Sequence, residues 1–219
     1  MPKSVTHPPR LDPLRLPTLD EGNAALLTPG SRVEGLRFAR ADLDGRMLAG
    51  TTFSECSFED ASAHGTDLSS AAFIETAFSR LNSPVLSAPR SRLRDVTVDG
   101  SRIGAAELYN AGWQSVHFSH CKLGFINLRG AKLRDVLFTD CTIEELDLGG
   151  ADALRVAFAD CSADKLDLTG ARLAQVDLRG LQLRTIAGIA ELRGATLNPY
   201  QVTELAPLLA AHLGITTED

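Results

Sequence analysis

The sequence contains few aromatic residues and no long apolar run, and both absences limit what the protein can be. Only 5% of the 219 residues are Phe, Trp or Tyr, so aliphatic side chains must build most of the core. No apolar run approaches the roughly 20 residues that a membrane-spanning helix needs. The N-terminus has Lys3, Arg10 and Arg15 among prolines but lacks the apolar segment of a secretory signal. We therefore expect no association with a membrane.

The sequence also lacks an excess of positive charge and any C-x-x-C pair of cysteines. The net charge is −6, which argues against nucleic acid or an anionic membrane as the main partner, so we expect no direct nucleic-acid binding. The four cysteines, Cys56, Cys121, Cys141 and Cys161, occur without close pairing. Their spacing favours a reducing, cytoplasmic location.

A period of five residues dominates the sequence. Every fifth residue from Val33 to Leu183 is apolar or small except Ser83, and the residue two positions earlier is also mostly small or apolar. Apolar residues two apart point to the same side of an extended segment, whereas a helix would need a period of 3.6. Each pentad is therefore predicted to be a short strand with two inward residues, followed by a corner.

A second period of 20 residues indicates that the strands stack. Phe118, Phe138 and Phe158 recur at this interval, as do Cys121 and Cys141. Four pentads make one four-sided turn, and residue n then lies above residue n−20. Gly-Ala pairs at 130–131, 150–151 and 170–171 are predicted to form one corner, where glycine relieves backbone crowding. The pattern predicts an all-β parallel solenoid of about seven to eight coils at roughly 4.8 Å each.

Residues 79–92 interrupt the regular pattern without shifting its phase. The segment contains Pro84 and Pro89, and it resembles a loop. The phenylalanine column nevertheless keeps its 20-residue spacing on both sides, which an inserted loop of arbitrary length would rarely preserve. We interpret the segment as a degraded part of a continuous coil, with a bulge on one side left open.

The repeats resemble those of the pentapeptide-repeat family, whose consensus is A-(D/N)-L-x-x. Matching pieces are Ala41-Asp-Leu43, Thr66-Asp-Leu68, Ala131-Lys-Leu133, Ala171-Arg-Leu173 and Val176-Asp-Leu178. The resemblance covers about 31–186 and implies a right-handed quadrilateral β-helix. Departures are Arg46, at a normally small inward position, and the weak positions Leu81, Ser83, Leu86 and Ala88.

Both ends of the chain leave the five-residue period. Residues 1–30 hold six of the ten prolines and are interpreted as an N-terminal arm and cap before the β-helix of 31–186. Residues 187–219 are interpreted as a capping and dimerisation helix with a tail. Asn198-Pro199 is a helix start, Gly214 a stop, and Pro207 predicts a kink or restart near Thr203. The candidate cap and dimer residues are Val202, Leu205, Leu208, Leu209 and Leu213.

The residue patterns point away from catalysis, and no metal-binding or cofactor-binding set is assigned. The column of inward thiols does not converge on one centre as metal ligands must. His117 and His120 flank an inward Phe118 and are predicted to lie on the solvated surface, without a nucleophile beside them. Gly149-Gly150 forms a corner and does not begin a helix, so it is no phosphate loop.

Charge is distributed unevenly along the repeats. Residues 137–167 hold eight acids against Arg155 and Lys165, whereas the whole of 31–186 has a net charge of only −3. Lys132, Arg134, Arg155 and Arg172 are predicted to gather on another side. The predicted partner-facing acidic ladder consists of Asp140, Glu144, Glu145, Asp147, Asp160, Asp164 and Asp167.

Two functional hypotheses follow. The first is a non-catalytic, rigid protein-interaction module or scaffold with an unknown protein partner. The second, which the resemblance implies through family members that protect DNA gyrase, is a DNA-mimicking modulator of a type II topoisomerase that confers quinolone resistance. Those family members also imply a homodimer joined at the C-terminal end. The acidic ladder is the feature that would carry the second hypothesis.

Overall fold

The pentads form short strands that stack in parallel. The structure, a computed structural model, describes residues 6–216. Two short 3₁₀ helices, Ala24–Leu26 and Ile189–Leu192, each lie between two strands, and the one α-helix of the described residues, α1, spans Pro199–His212. The strands are β1 Asp20–Glu21, β2 Arg32–Glu34, β3 Leu36–Ala39, β4 Thr52–Ser54, β5 Ser57–Glu59, β6 Thr66–Asp67, β7 Ala72–Ser79, β8 Asn82–Ser87, β9 Arg92–Asp99, β10 Arg102–Glu107, β11 Gly112–Ser119, β12 Lys122–Asn127, β13 Lys132–Thr139, β14 Thr142–Asp147, β15 Asp152–Ala159, β16 Cys161–Asp167, β17 Arg172–Ala174, β18 Val176–Asp177, β19 Leu181–Ala187 and β20 Ala195–Thr196.

The strands belong to two parallel sheets that together wrap around one core. One sheet runs in the order β1-β3-β5-β7-β9-β11-β13-β15-β18-β20, with β2, β4 and β17 alongside. The other runs β6-β8-β10-β12-β14-β16-β19. Phe118 pairs with Phe138 and Phe138 with Phe158, so the register advances by 20 residues per turn as predicted. The fold is the four-sided parallel solenoid that the two periods indicate.

The solenoid has about nine turns, slightly more than the seven to eight predicted. Ten strands follow one another along the first sheet, from β1 to β20. The additional layers come from outside 31–186. Asp20 pairs with Leu36 before the repeats begin, and Asp177 pairs with Thr196 after they end. Residues without the five-residue pattern therefore still extend the sheet by backbone hydrogen bonds.

Columns of phenylalanine rings fill much of the interior. Phe38, Phe58 and Phe78 stack with ring centroids 4.9 and 5.0 Å apart, and Phe118, Phe138 and Phe158 stack at 5.2 and 5.0 Å. Phe53 and Phe73 form a second short column that meets the first edge-on. Offset stacks and edge-to-face contacts are the favoured aromatic geometries. The 20-residue period is thus the spacing at which one ring returns above another.

Residues 79–92 form an ordinary part of the coil, without a bulge. β8 pairs in register with β10, from Asn82 opposite Arg102 to Ser87 opposite Glu107. The buried hydroxyl of Ser83 donates to the Ala63 carbonyl at 2.8 Å, which satisfies the one polar residue in the inward column. Pro84 lies between the paired residues Ser83 and Val85, at a position that has no partner in the strand pairing. Proline has no backbone N–H to donate, and this is tolerated at an unpaired position.

The N-terminal residues run along the outside of the solenoid. We call residues 6–19 the strap. Its contacts follow the tube from the last turns to the first: Thr6 hydrogen-bonds Thr196, the Arg10 N–H donates to Asp135, and Leu16 and Leu19 lie beside Phe58 and Ala77. The chain then enters β1, which pairs with β3. The sequence predicts an irregular arm but not this course.

The first turn is covered by residues that follow the strap. Gly22 lies against the ring of Phe38, where a side chain would overlap it. Leu27 is buried after the first 3₁₀ helix. Arg46, the predicted anomaly at an inward position, donates to the carbonyls of Leu27 at 2.8 Å and Ala25 at 3.3 Å. Arg46 therefore ties the covering segment to the coil.

The other end is covered by the first half of α1. The helix begins with the predicted Asn198-Pro199 signal: the Asn198 side chain accepts from the Gln201 N–H, and the Gln201 side chain accepts from the Asn198 N–H. The Gln201 amide also donates to the carbonyls of Leu178 and Leu181 at 2.7 and 2.8 Å. The sequence predicts a kink or a restart of the helix near Thr203. The restart is wrong, because α1 continues through Pro207 as one helix.

Candidate interaction surfaces

Left-handed corner residues position the outward columns. One corner column has positive φ at every turn: Gly130, Gly150 and Gly170, with φ of +65°, +65° and +71°, continue it from Ser70, Arg90 and Asn110. The glycine corners predicted from the Gly-Ala pairs are confirmed. Since each turn bends at the same place, outward side chains of successive turns stand above one another about 4.8 Å apart.

Three of the seven residues of the acidic ladder make contacts within the solenoid, and the other four are exposed. Glu145 binds Lys165 at 2.8 Å. Asp147 is only 6% exposed, accepts from the Gly149 N–H and binds Arg129 at 2.9 Å. Asp167 accepts from the Thr169 N–H at 2.9 Å, and hydrogen bonds from the Thr169 side chain and backbone lower the pKa of this carboxyl. These three carboxylates are engaged in contacts within the solenoid.

The other four ladder residues are exposed, and we call them the acidic patch: Asp140, Glu144, Asp160 and Asp164. They lie in two stacked pairs. Arg184 approaches Asp164 at 3.4 Å and His120 approaches Asp140 at 3.6 Å, both at exposed positions. Exposed pairs at such distances neutralise little charge. The structure thus leaves a smaller acidic surface than the seven-residue ladder.

Basic side chains gather on another face, as the sequence predicts for Lys132, Arg134 and Arg172. These three line one groove together with Arg92 and Arg94. We call these five residues the basic face. Arg155, which the sequence places with them, is instead turned toward Asp135, with Nε 2.5 Å from Oδ1, and both side chains are nearly buried at 13% and 9% exposure. The two residues are 20 positions apart, so the column rule places Arg155 directly above Asp135, and the assignment of Arg155 to the basic side overlooks this pairing.

The strap covers a further face of the solenoid, where it contacts Asp135 and lies beside His117. Burial opposes ionisation of Asp135, but hydrogen bonds from Arg155 and the Arg10 N–H outweigh it and lower the pKa of this carboxyl. His117 lies beside strap residues Leu11 and Leu14. The prediction that His117 is a solvated surface residue is therefore wrong, because the strap half-buries it and burial lowers its pKa.

His120 occupies the exposed side of the same turn. Its Nδ1 lies 2.8 Å from the Asp99 carboxylate, and this hydrogen bond raises the pKa of His120. The Ser119 hydroxyl donates to the same carboxylate at 2.6 Å rather than to the imidazole. Ser119, His120 and Asp99 therefore lack the serine–imidazole contact that nucleophilic catalysis needs.

The stacked cysteines are buried and reduced. Cys121, Cys141 and Cys161 are at most 2% exposed, and all four cysteines are free thiols. The hydrogen bond with Cys121, together with burial, raises the pKa of Cys141 to about 11. A protonated, inaccessible thiol is a poor nucleophile, so this column fills space in the core.

The residues that the structure describes hold neither a cluster of metal ligands nor a membrane-spanning helix. Among residues 6–216, no group of three or more His, Cys, Asp or Glu side chains could hold a metal ion. The one α-helix in this range has 14 residues and is not long and apolar enough to cross a membrane. What the described chain presents to its surroundings is a set of charged outward columns and an apolar C-terminal helix.

These features define a parallel β-solenoid repeat protein whose faces differ in charge. The chain belongs to the pentapeptide-repeat family. A family model described as a pentapeptide repeat region matches residues 111–188, and a model of pentapeptide repeats in eight copies matches residues 37–73. Together the two matches cover more than half of the chain. A search of curated proteins found no significant match.

The solved structures that the chain matches include two of one quinolone-resistance protein and one of a protein involved in the regulation of differentiation. A trypsin-treated form of QnrB1, a plasmid-mediated fluoroquinolone resistance protein, is 22% identical, with 87% of this chain and 91% of that chain aligned and a TM-score of 0.44. Full-length QnrB1 is 22% identical over 90% and 95%, with a TM-score of 0.36. HetL from the cyanobacterium Nostoc sp., involved in heterocyst differentiation regulation, is 18% identical over 80% and 93%, with a TM-score of 0.28.

Proposed function

We propose that the protein is a non-catalytic, rigid interaction module that acts in the cytoplasm, and that its partner is DNA gyrase or a related type II topoisomerase. The observation that carries the proposal is the acidic patch on a rigid solenoid. Its carboxylates repeat at about 4.8 Å on a surface that does not need to rearrange on binding. A DNA-binding surface of a topoisomerase is basic, so it is complementary to such a patch.

The charge of the patch is comparable to that of DNA only locally. A duplex carries about one charge per 1.7 Å along its axis. Four exposed carboxylates on two adjacent turns occupy roughly 5–10 Å of the tube, which gives about one charge per 1.2–2.5 Å and therefore a similar density. The proposal therefore assigns the contact to a short acidic segment.

Pairing of two chains would enlarge this acidic surface. Of the eight large hydrophobic side chains exposed in the described chain, five lie between 200 and 215: Tyr200, Val202, Leu208, Leu213 and Ile215. Only Leu205 of the five predicted cap and dimer residues is buried, and Leu209 is half-buried. Clustered exposed apolar side chains mark interaction sites. We propose that they meet the same surface of a second copy in a two-fold homodimer.

A gyrase supercoiling assay tests the proposed function. The purified protein is added to gyrase with and without a fluoroquinolone, and we expect a change in supercoiling or in drug sensitivity. The variant Glu144→Gln/Asp164→Asn removes two stacked carboxylates of the patch and should weaken the effect about tenfold. The matched control Glu55→Gln/Glu75→Gln removes two carboxylates one turn apart elsewhere. No effect of the parent protein, or an equal loss in both variants, would contradict the proposal.

A separate measurement tests the homodimer. Sedimentation of the parent protein should give twice the chain mass, and Leu208→Glu/Leu213→Glu should give the single-chain mass with an unchanged circular dichroism spectrum. The corresponding control, Leu26→Glu, changes an exposed leucine at the other end of the tube. A monomeric parent protein at all concentrations would show that the helix serves only as a cap.

The alternative is a scaffold whose partner is another, unknown protein. The balance of charge favours this alternative, since 31–186 has a net charge of only −3 and three of the seven ladder residues are engaged in internal contacts. A lack of any effect on gyrase combined with a stable dimer would support this scaffold function.

A further inference from the structure

The basic face is a second charged surface that the proposed function does not use. Its five side chains line one groove, and Asp152 is the one acid among the residues that line it. The lining therefore has a positive net charge on a chain whose total is −6. Local charge opposite to that of the whole molecule requires an explanation.

Most of this positive charge has no internal counterpart. Arg172 binds Asp152 with both N–H groups, at 2.5 and 2.8 Å. Arg94 lies 3.6 Å from Asp95 at an exposed position. Within residues 6–216, Arg92, Lys132 and Arg134 make no ion pair. These side chains are available to a carboxylate from outside.

The bases recur at every second turn. One outward column reads Arg92, Gly112, Lys132, Asp152 and Arg172, and the neighbouring column reads Arg94, Gln114, Arg134, Leu154 and Ala174. Two turns advance about 9.6 Å, and the first column spans about 19 Å. Gly112 has open space above it, so the gap between Arg92 and Lys132 is not filled by packing.

We propose that the basic face binds an acidic α-helix of a protein partner. Seven residues of helix advance about 10.5 Å, close to the two-turn spacing of the bases, so acids at i, i+7 and i+14 would meet successive bases. A helix lying on a sheet face is a common layer arrangement. Leu154 and Ala174 supply the apolar contact, and the arginine forks recognise carboxylates with two hydrogen bonds each.

Nucleic acid fits this face less well. Proteins that bind single strands stack bases on exposed aromatic rings, whereas Trp113, the aromatic residue of the groove, is only 2% exposed. Duplex binding depends on a broad positive field, which a chain of net charge −6 does not provide. The observations favour a short acidic protein segment over a polyanion.

Binding of a synthetic helix tests the proposal with the full chain. The probe is a fluorescent, Ala-rich helical peptide of about 18 residues with glutamates at seven-residue spacing. The comparison peptide has the same composition, with its glutamates distributed around the helix. By fluorescence anisotropy at low salt, we expect saturable binding of the first peptide, at least about fivefold tighter than the second, and weakening with added salt.

Charge reversal locates the site. Arg94→Glu/Arg134→Glu should weaken binding about tenfold, whereas Arg102→Glu/Lys122→Glu, an equal charge change at exposed residues of another face, should change it less than about twofold. All four side chains are exposed, so both variants should keep the parent circular dichroism spectrum. Absence of saturable binding, equal losses in the two variants, or tighter binding of a single-stranded oligonucleotide of equal charge would overturn the proposal.

The readout is independent of gyrase. A protein that leaves supercoiling unchanged but binds the peptide retains the basic face as a site and loses only the proposed topoisomerase partner. A protein that affects gyrase but does not bind the peptide keeps the proposed topoisomerase partner and loses the basic face as a binding site.

Discussion

At the scale of single residues, the corners carry most of the conformational cost of the fold. Sixteen of the described residues other than glycine have positive φ, and all stand at corners of the tube. The left-handed conformation costs a residue with a Cβ atom roughly 1–2 kcal/mol. Asn110 tolerates it through its short polar side chain, while Arg90 in the same column does not have that advantage. Stacking against neighbouring turns must compensate for these corners.

Alanine substitutions at two glycines distinguish the effect of backbone strain from the effect of the space available to a side chain. Gly150 has φ +65° and open space above it, so Gly150→Ala should lower the free energy of unfolding by about 1 kcal/mol through strain alone. Gly112 lies in a strand with open space and no positive φ, so Gly112→Ala should raise it by about 0.5 kcal/mol. Denaturant unfolding of both variants checks the order. A more stable Gly150→Ala protein would show that the corner is not strained.

The pKa values of two histidines in one turn should be shifted in opposite directions. Burial lowers the pKa of His117, and the hydrogen bond to Asp99 raises the pKa of His120. In an NMR titration we expect the midpoint of His117 below about 6.5 and that of His120 above it. His117 then contributes stability above pH of about 6.5 that is lost on acidification, and His120 contributes stability at low pH that is lost as pH rises through its pKa.

The sign of the His117 contribution can be checked separately. In His117→Gln the loss of stability between about pH 7 and 5 should become smaller than in the parent protein, because the residue that resists protonation is gone. An unchanged pH dependence, or a midpoint of His117 above that of His120, would contradict the burial of His117 beneath the strap.

At the scale of elements, periodicity predicts what repeats and misses what occurs once. The strands, their register, the glycine corners and the start of α1 all follow from local patterns in the sequence. The course of the strap does not, since residues 6–19 have no period and their contacts lie up to 190 positions away. The acidic ladder was predicted by the same column rule, but ion pairs such as Asp147 with Arg129 join neighbouring columns, which the rule does not describe.

Among the ion pairs, Asp135–Arg155 should contribute most to the stability of the attached strap. Asp135→Ala would leave Arg155 nearly buried without a partner and remove the acceptor for the Arg10 N–H, at a cost of about 3 kcal/mol. Its control, Asp152→Ala, removes a pair of the same geometry whose side chains are 42% and 76% exposed, and should cost less than about 1 kcal/mol. Denaturant unfolding compares the two. Equal losses would mean that the strap does not shield the first pair.

Gln201 should matter more to the C-terminal end than the leucines of α1. Gln201→Ala would leave the Leu181 carbonyl without this donor and the Leu178 carbonyl with the Leu181 N–H alone, so the free energy of unfolding should fall by about 1–3 kcal/mol. An exposed glutamine of β19, Gln182→Ala, serves as the comparison and should be nearly neutral. Thermal unfolding of the two variants distinguishes them, and identical melting temperatures would show that α1 does not seal the edge.

At the scale of the whole molecule, the strap changes how a solenoid is expected to unfold. Repeats that touch only their neighbours open from the ends. Here Thr6 contacts the last turn and Leu19 the first, so one segment couples distant turns. A chain lacking residues 1–19 should therefore lose protection from hydrogen exchange first in its terminal turns, with a broader thermal transition. Uniform protection in the shortened chain would argue against this coupling.

The strap also limits how long the tube can become. From Thr6 to Asp20 a fully extended chain reaches about 46–50 Å, and the nine steps from β20 to β1 cover about 43 Å. Inserting one 20-residue repeat would use about all of this slack, and a second would pull the anchors apart. Growth by repeat duplication, which is free in most solenoids, is in this protein limited by the reach of a segment outside the repeats.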